Sequence, residues 1–193
     1  MNENLAYQED WREELIGGRL VAMAPATIDH ARIKRNVTTL LDNYLSGRTC
    51  EVLPDGAAVY LSENDYYYPD VVVVCDPDKI RADGVYGAPD LVVEVLSPGS
   101  IHYDRGRKKD VYEDAGVREY WIISPGDKSV EQYLLEGGRF RLGASCAVLP
   151  AWMLSRMDAA HIRDPKSEFK CSLYDDLVIR AADLFRKTAI PGS

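Results

Sequence analysis

Two carboxylates and a lysine in the middle of the chain have the types and spacing to do chemistry. Asp70 opens the run DVVVVCD, Glu94 stands inside the run LVVEVLS, and Lys108 follows in YDRGRKKDVY. A carboxylate inside or at the mouth of so apolar a run is costly unless something positive meets it. Carboxylate oxygens with few competing nitrogen or sulfur donors suit a hard ion such as Mg²⁺, with Mn²⁺ as a substitute; Mg²⁺ keeps several waters and meets substrate phosphate through its remaining positions. Such an ion would polarise a phosphodiester and lower the pKa of an attacking water. The lysine ammonium would orient that water or stabilise the charge that grows on phosphate.

The surrounding pattern says what must position these groups. Four consecutive valines after Asp70, and LVVEVL around Glu94, read as strands buried on both faces that lie side by side at the centre of one sheet. Before them, Gly17-Gly18 joins two short apolar stretches into a hairpin over Glu14 to Ala24. Helical spacing runs from Ile28 to Ser46, with Thr27 as a possible N-cap and Gly47 as a C-terminal stop. CEVLPDGAAVYL, Cys50 to Leu61, divides at Pro54-Asp55-Gly56 into the arms of a hairpin or bent pair. After Ser97-Pro98-Gly99-Ser100 a helix is expected from about Tyr103, capped by Asp104 or Ser100 and ending at Gly116. Asp104, Lys108 and Tyr112 share one of its faces. Glu119 to Ser124 and Val130 to Glu136 form a hairpin; Cys146 to Ala160 reads as helix or irregular, Asp164 to Ser167 as loop, and Ala181 to Lys187 as a short helix. The alternation argues an α/β or α+β fold with one domain over 1–193. Tyr112 and Trp121 are assigned to the core. Tyr66-Tyr67-Tyr68 is either ordinary packing or a surface on which unpaired bases stack.

Four stretches are similar, in order, to the Uma-type restriction endonucleases of the PD-(D/E)XK nuclease superfamily: YPD at Tyr68–Asp70, APDLVVEVLSPGS at Ala88–Ser100, DRGRKKDVY at Asp104–Tyr112 and GVREYW at Gly116–Trp121. The resemblance is strongest over 14–135, leaving 136–193 as a C-terminal extension packed on the core. It implies a restriction-endonuclease-like αβββαβ core, a central mixed sheet flanked by helices, that cuts DNA. In that pattern Asp70 and Glu94 hold Mg²⁺, the backbone carbonyl of Val95 is a third ligand, and a lysine assists the water. The superfamily places that lysine two residues after the second acid, where this chain has Leu96. The resemblance points instead to Lys108 on the following helix, with Lys109 as its competitor. Glu14 and His30 are possible accessory groups.

Composition sets limits on all this. With 23 Lys and Arg against 31 Asp and Glu, the 193 residues carry a net charge of −8. A protein that coats nucleic acid through its whole surface would carry the opposite excess. The two segments His30–Arg35 and Ile101–Lys109 are exceptions, and Arg32, Arg35, Arg105, Arg107 and Lys109 are the expected phosphate contacts. Four scattered cysteines without a CxxC read as reduced, mostly buried thiols. No signal-like start and no membrane-length apolar run is present, so a cytoplasmic protein without membrane attachment is expected. Ser97 with His30 or His102 lacks a nucleophile elbow, and Gly-rich phosphate loops are missing. Cutting both strands of a duplex would be simplest for a homodimer. The alternatives are an inert nuclease-like binding or regulatory scaffold, and a metal phosphoesterase acting on small phosphates.

Overall fold

The computed structural model describes residues 12–23, 26–149 and 167–188. Gly17 and Gly18, at φ 58° and 77°, supply the left-handed turn that joins β1 (Glu13–Ile16) to β2 (Arg19–Ala22). Helix α1 (Ile28–Leu45) begins where the Thr27 side chain accepts a hydrogen bond from the His30 amide. There follow β3 (Glu51–Pro54), β4 (Val59–Ser62), β5 (Asp65–Tyr67), β6 (Val71–Val74), β7 (Ile80–Arg81), β8 (Gly84–Tyr86) and β9 (Leu91–Val95). Then come α2 (Ile101–Arg105), α3 (Arg107–Ala115), β10 (Glu119–Ser124), β11 (Ser129–Glu136) and β12 (Arg139–Ala147), and lastly β13 (Glu168–Lys170), β14 (Val178–Arg180) and α4 (Ala181–Leu184).

The chain is mixed α+β, built on two six-stranded sheets. The central sheet has the order β12-β11-β10-β9-β6-β3, and β9 pairs antiparallel with β6 but parallel with β10. Read along the chain, α1, β3, β6, β9, α3 and β10 follow the αβββαβ order that the resemblance implies. The second sheet, β2-β1-β5-β4-β8-β7, is made of the amino-terminal hairpin and the strands inserted between those of the core.

Alternation along β6 and β9 explains why both runs are apolar throughout. Val71, Val73, Leu91, Val93 and Val95 pack with Ile33, Val37 and Leu41 of α1, together with Phe169, Ile179 and Leu184 from the carboxy-terminal segment. Val72, Val74 and Val92 face the other way, onto Ile16, Val59, Tyr67 and Val85 of the second sheet and Tyr112 of α3. The central sheet is thus covered on both sides, as continuous valine runs require.

Four expectations need correction. First, β3 and β4 do not pair with each other: β3 joins β6 in the central sheet, whereas β4 joins β5 and β8 in the second, so Pro54-Asp55-Gly56 is a crossing between sheets. Secondly, the helix after Ser100 starts at Ile101 and breaks at Gly106, where a Cβ would lie 2.8 Å from the His102 carbonyl oxygen. Thirdly, Asp104 does not cap that helix, being buried against Lys108. Fourthly, Cys50 and Cys75 are not thiols: they flank the paired strands β3 and β6 and are joined as a disulfide, while Cys146 and Cys171 are buried thiols, as expected. Cys146 itself lies in β12, and the rest of the stretch assigned as helix or irregular falls mostly outside the described residues, as does most of the Asp164–Ser167 loop. Among the described residues no helix is long and apolar enough to cross a membrane.

Candidate active site

Asp70 immediately precedes β6. The antiparallel register Val71↔Val93 and Val72↔Val92 sets it directly across from Glu94 on β9, and opposed residues of this kind have Cβ atoms about 5 Å apart. The Val95 amide donates to Asp70 Oδ2 at 2.8 Å, fixing the carboxylate at the sheet end. One turn apart on α1, His30 and Lys34 both reach Asp70, His30 Nε2 at 3.2 Å from Oδ2 and Lys34 Nζ at 3.7 Å from Oδ1. Lys34 is shared with Asp55 of the Pro54-Asp55-Gly56 turn at 2.9 Å. The other ring nitrogen of His30, Nδ1, is buried without a hydrogen-bond partner among the described residues.

The break at Gly106 turns α3 so that Lys108 enters the protein between the sheets. Its Nζ lies 2.8 Å from Glu14 Oε1, 3.3 Å from Glu94 Oε1 and 3.4 Å from Asp104 Oδ1. Each partner is held from behind. The Tyr68 amide donates to Glu14 at 2.9 Å, the Tyr112 hydroxyl donates to Glu94 at 2.9 Å, and the Tyr120 hydroxyl donates to the Asp104 carbonyl at 2.9 Å. Burial alone would lower the Lys108 pKa, yet the carboxylates of Glu94, Glu14 and Asp104 hold it above the ordinary lysine value. Lys108 is therefore an ammonium at neutral pH. Burial pushes Glu94 well above the ordinary glutamate value; Lys108 opposes this, and Asp104, Asp70 and Glu14 add to it. Asp104 is raised by burial too, against the pull of Lys108.

These groups line a cavity of about 490 Å³, whose walls include Arg12, Lys34, Asp55, Tyr68, Val95, Ser97 and Ser100 beside Glu14, His30, Asp70, Glu94 and Lys108. Asp70, Glu94, Lys108, Val95, Glu14 and His30 are thus brought together. The five expected phosphate contacts are not. Arg32 pairs with Asp29, Arg35 bonds Asn36, Arg105 grips Glu131 at 2.7 and 2.8 Å, and Arg107 pairs with Asp65. Lys109 sits 3.6 Å from the centre of the Tyr133 ring. Neighbours along a helix point in different directions, so only one lysine of the Lys108-Lys109 pair can face the carboxylates. Sequence reasoning missed Arg12, Lys34 and Asp55 as members of the site. A signal existed for Lys34, which lies four residues after His30 on one helix face. Arg12 and Asp55 are brought there by tertiary structure alone. Ser97 bonds with Ser100 in the loop after β9.

Glu14, Asp70, Glu94 and Asp104 are each 9% exposed or less; Glu14, Glu94 and Asp104 meet the buried Lys108 ammonium, and Asp70 meets Lys34 and His30. That surplus of acidic groups over cations, and the oxygen-only pair of Asp70 and Glu94 at a cavity, fit a hard divalent cation, which would favour their ionised forms. Among the described residues no three His, Cys, Asp or Glu side chains are placed to hold an ion by themselves. Backbone oxygen and water would complete the shell, as Mg²⁺ sites commonly allow.

A family model, Uma2, described as "Putative restriction endonuclease", matches residues 2–155. Two curated relatives come from Synechocystis sp. Uncharacterized protein slr1290 is 33% identical over 135 residues, 68% of this chain and 71% of that protein. Uncharacterized protein sll1609 is 28% identical over 132 residues, 66% of this chain and 75% of that protein. A crystal structure described as a putative nuclease belonging to DUF820, from Anabaena variabilis, superposes with a TM-score of 0.62 at 15% identity, over 90% of this chain and 89% of that one, and so shares its fold.

Proposed function

Given that the chain belongs to the Uma2 family of restriction endonuclease-like proteins, we propose that it is a Mg²⁺-dependent endonuclease that hydrolyses phosphodiester bonds in DNA. The observation that carries this reading is the opposition of Asp70 and Glu94 across neighbouring strands, with the Lys108 ammonium 3.3 Å from Glu94 at a cavity of about 490 Å³. Asp70 and Glu94 would hold the ion, with the Val95 carbonyl as the family pattern implies. When bound, Mg²⁺ supplies Lewis-acid polarisation of phosphate and a more acidic water.

The remaining work falls to the chain itself. Lys108, kept protonated by three carboxylates, is no proton acceptor; it donates hydrogen bonds to the attacking water or to a phosphate oxygen and offsets the charge that develops there. Glu14 and Asp104 position that ammonium. His30 orients Asp70 through Nε2. Lys34 and Arg12, on the cavity wall, offer positive charge to an approaching phosphate, in the place expected of the more distant helix cations. Because acids outnumber cations in the cluster, DNA binding should be weak and salt-sensitive until the ion is present.

Cleavage of supercoiled plasmid and single-stranded DNA with Mg²⁺ or Mn²⁺ tests the assignment. Asp70→Asn, Glu94→Gln and Lys108→Ala should each reduce the rate by about 10²–10³-fold. A rate that survives all three substitutions overturns it.

A further inference from the structure

The outer face of the second sheet carries an unbroken transverse row. Leu20 of β2 opposes Leu15 of β1, Leu15 opposes Tyr66 of β5, Tyr66 opposes Tyr60 of β4, and Tyr60 opposes Tyr86 of β8. The rings touch: Tyr60 stacks on Tyr86 at 4.7 Å and lies 5.7 Å from Tyr66, which meets Tyr68 edge-on at 6.1 Å. All four tyrosines are half-buried, whereas their sequence neighbours Val59, Tyr67 and Val85 point into the core. Packing explains those inward residues, but it does not explain a run of four outward aromatics. Five strands at about 4.8 Å spacing make the row about 20 Å long. The row itself runs from Leu20 to Tyr86; Tyr68, two residues beyond Tyr66 and in ring contact with it, carries the aromatic surface to the cavity, which it lines. A guanidinium lies over the ring at each end of the four tyrosines, Arg12 5.8 Å from the centre of Tyr68 and Arg81 4.1 Å from that of Tyr86. Asp83, which accepts a hydrogen bond from the Tyr86 hydroxyl at 2.8 Å, is the acid a phosphate must pass at the far end.

We propose that this row is a docking track for unpaired nucleotides, on which the bases of a single strand pack against Tyr68, Tyr66, Tyr60 and Tyr86 while Arg12 and Arg81 meet the backbone. The inference rests on the nuclease reading for its occupant. Aromatic surfaces flanked by cations hold single strands without needing a broadly basic protein, because stacking contributes where phosphate contacts are few. This suits a chain of net charge −8. Continuity with the cavity favours a nucleic acid over a second copy of the chain, for which a stripe running into a charged cleft is a poor match.

Fluorescence anisotropy with a labelled oligothymidylate of ~12 nucleotides, in chelator and at low ionic strength, reads the track without cleavage. Tyr60→Leu and Tyr66→Leu keep apolar cover over the sheet and should weaken binding by about 5- to 50-fold each, with unchanged melting curves. Tyr44→Leu, on α1 and away from the row, should leave it unaltered. Photocrosslinking of an iodouracil-containing oligomer should label row tyrosines. Equal affinity of wild type and both row variants overturns the track, as does a dimer in light scattering that dissociates on Tyr60→Leu without any oligomer binding. The two readings fail separately: tyrosine-dependent binding with no cleavage under any metal leaves the track and removes the nuclease, and cleavage with tyrosine-independent binding does the reverse.

Discussion

Two buried glutamates, Glu94 and Glu119, sit on adjacent parallel strands and live in opposite electrostatic settings. Glu119 is fully buried and, among the described residues, its hydrogen bonds come from neutral donors: Trp121 Nε1 at 2.5 Å, Gln132 Nε2 at 2.6 Å, the Ser172 amide at 2.6 Å, the Ser172 hydroxyl and the Cys171 thiol at 3.6 Å. Its bonds tie β10, β11 and the segment after β13 together, and it lines no part of the cavity described above. Glu94 instead shares one ammonium with two other acids, faces Asp70 and opens onto that cavity. A carboxylate saturated by fixed dipoles holds a fold together. One left in a cluster with too little positive charge is set up to receive a cation.

The strongest way to break this contrast is Lys108→Ala. Removing the single ammonium among Glu14, Glu94 and Asp104 should cost about 3–5 kcal/mol in urea denaturation. Wild-type stability would mean that the cluster is not charged as described. Next, Glu94→Gln should lower cleavage by about 10²–10³-fold while moving the urea midpoint little, because it relieves repulsion from Asp104, Asp70 and Glu14 as it weakens the Lys108 pair. Glu119→Gln should do the reverse. It places an amide donor among donors and should cost about 1–3 kcal/mol of stability with cleavage per folded molecule unchanged; a selective loss of cleavage would put Glu119 in the site.

Asp65 supplies the smallest and most graded test. Burial pushes its carboxyl up, but the Gly17 amide, the hydroxyls of Tyr67 and Ser62, and Arg107 hold it below the ordinary aspartate value. A depressed folded-state pKa contributes stability that is present above the unfolded value near 3.9 and lost as pH falls through the folded one. Asp65→Asn should therefore cost about 1–2 kcal/mol at neutral pH and flatten the decline of stability below about pH 4. An unchanged acid limb would mean that these partners do not hold the Asp65 carboxylate in its charged form.

How much of this was readable beforehand varies by element. The Gly17-Gly18 hairpin, α1 with its Thr27 cap, the two valine runs and the β10–β11 hairpin were legible because glycine conformation, helical period and β-branching act over a few residues. The crossing at Asp55 was misread because a Pro-Asp-Gly turn looks the same whether the next strand folds back or leaves for another sheet. The helix break at Gly106 was missed because one glycine in a polar helical run carries little local signal. The cysteine pairing was hidden for a related reason: positions 25 apart become neighbours only through the β3–β6 register.

The order of the acids, the lysine and the strands that carry them was determined by sequence alone, since short-range pattern and charge suffice to mark a carboxylate that does not belong in an apolar run. Which cations face those acids was decided by tertiary structure. Arg32, Arg35, Arg105, Arg107 and Lys109 find partners elsewhere, while Arg12 and Lys34 reach the cavity and Lys108 enters the cluster beside it. Direction is the reason: a charged side chain's role depends on where its helix or strand aims it, and that is set by packing against elements distant in the chain.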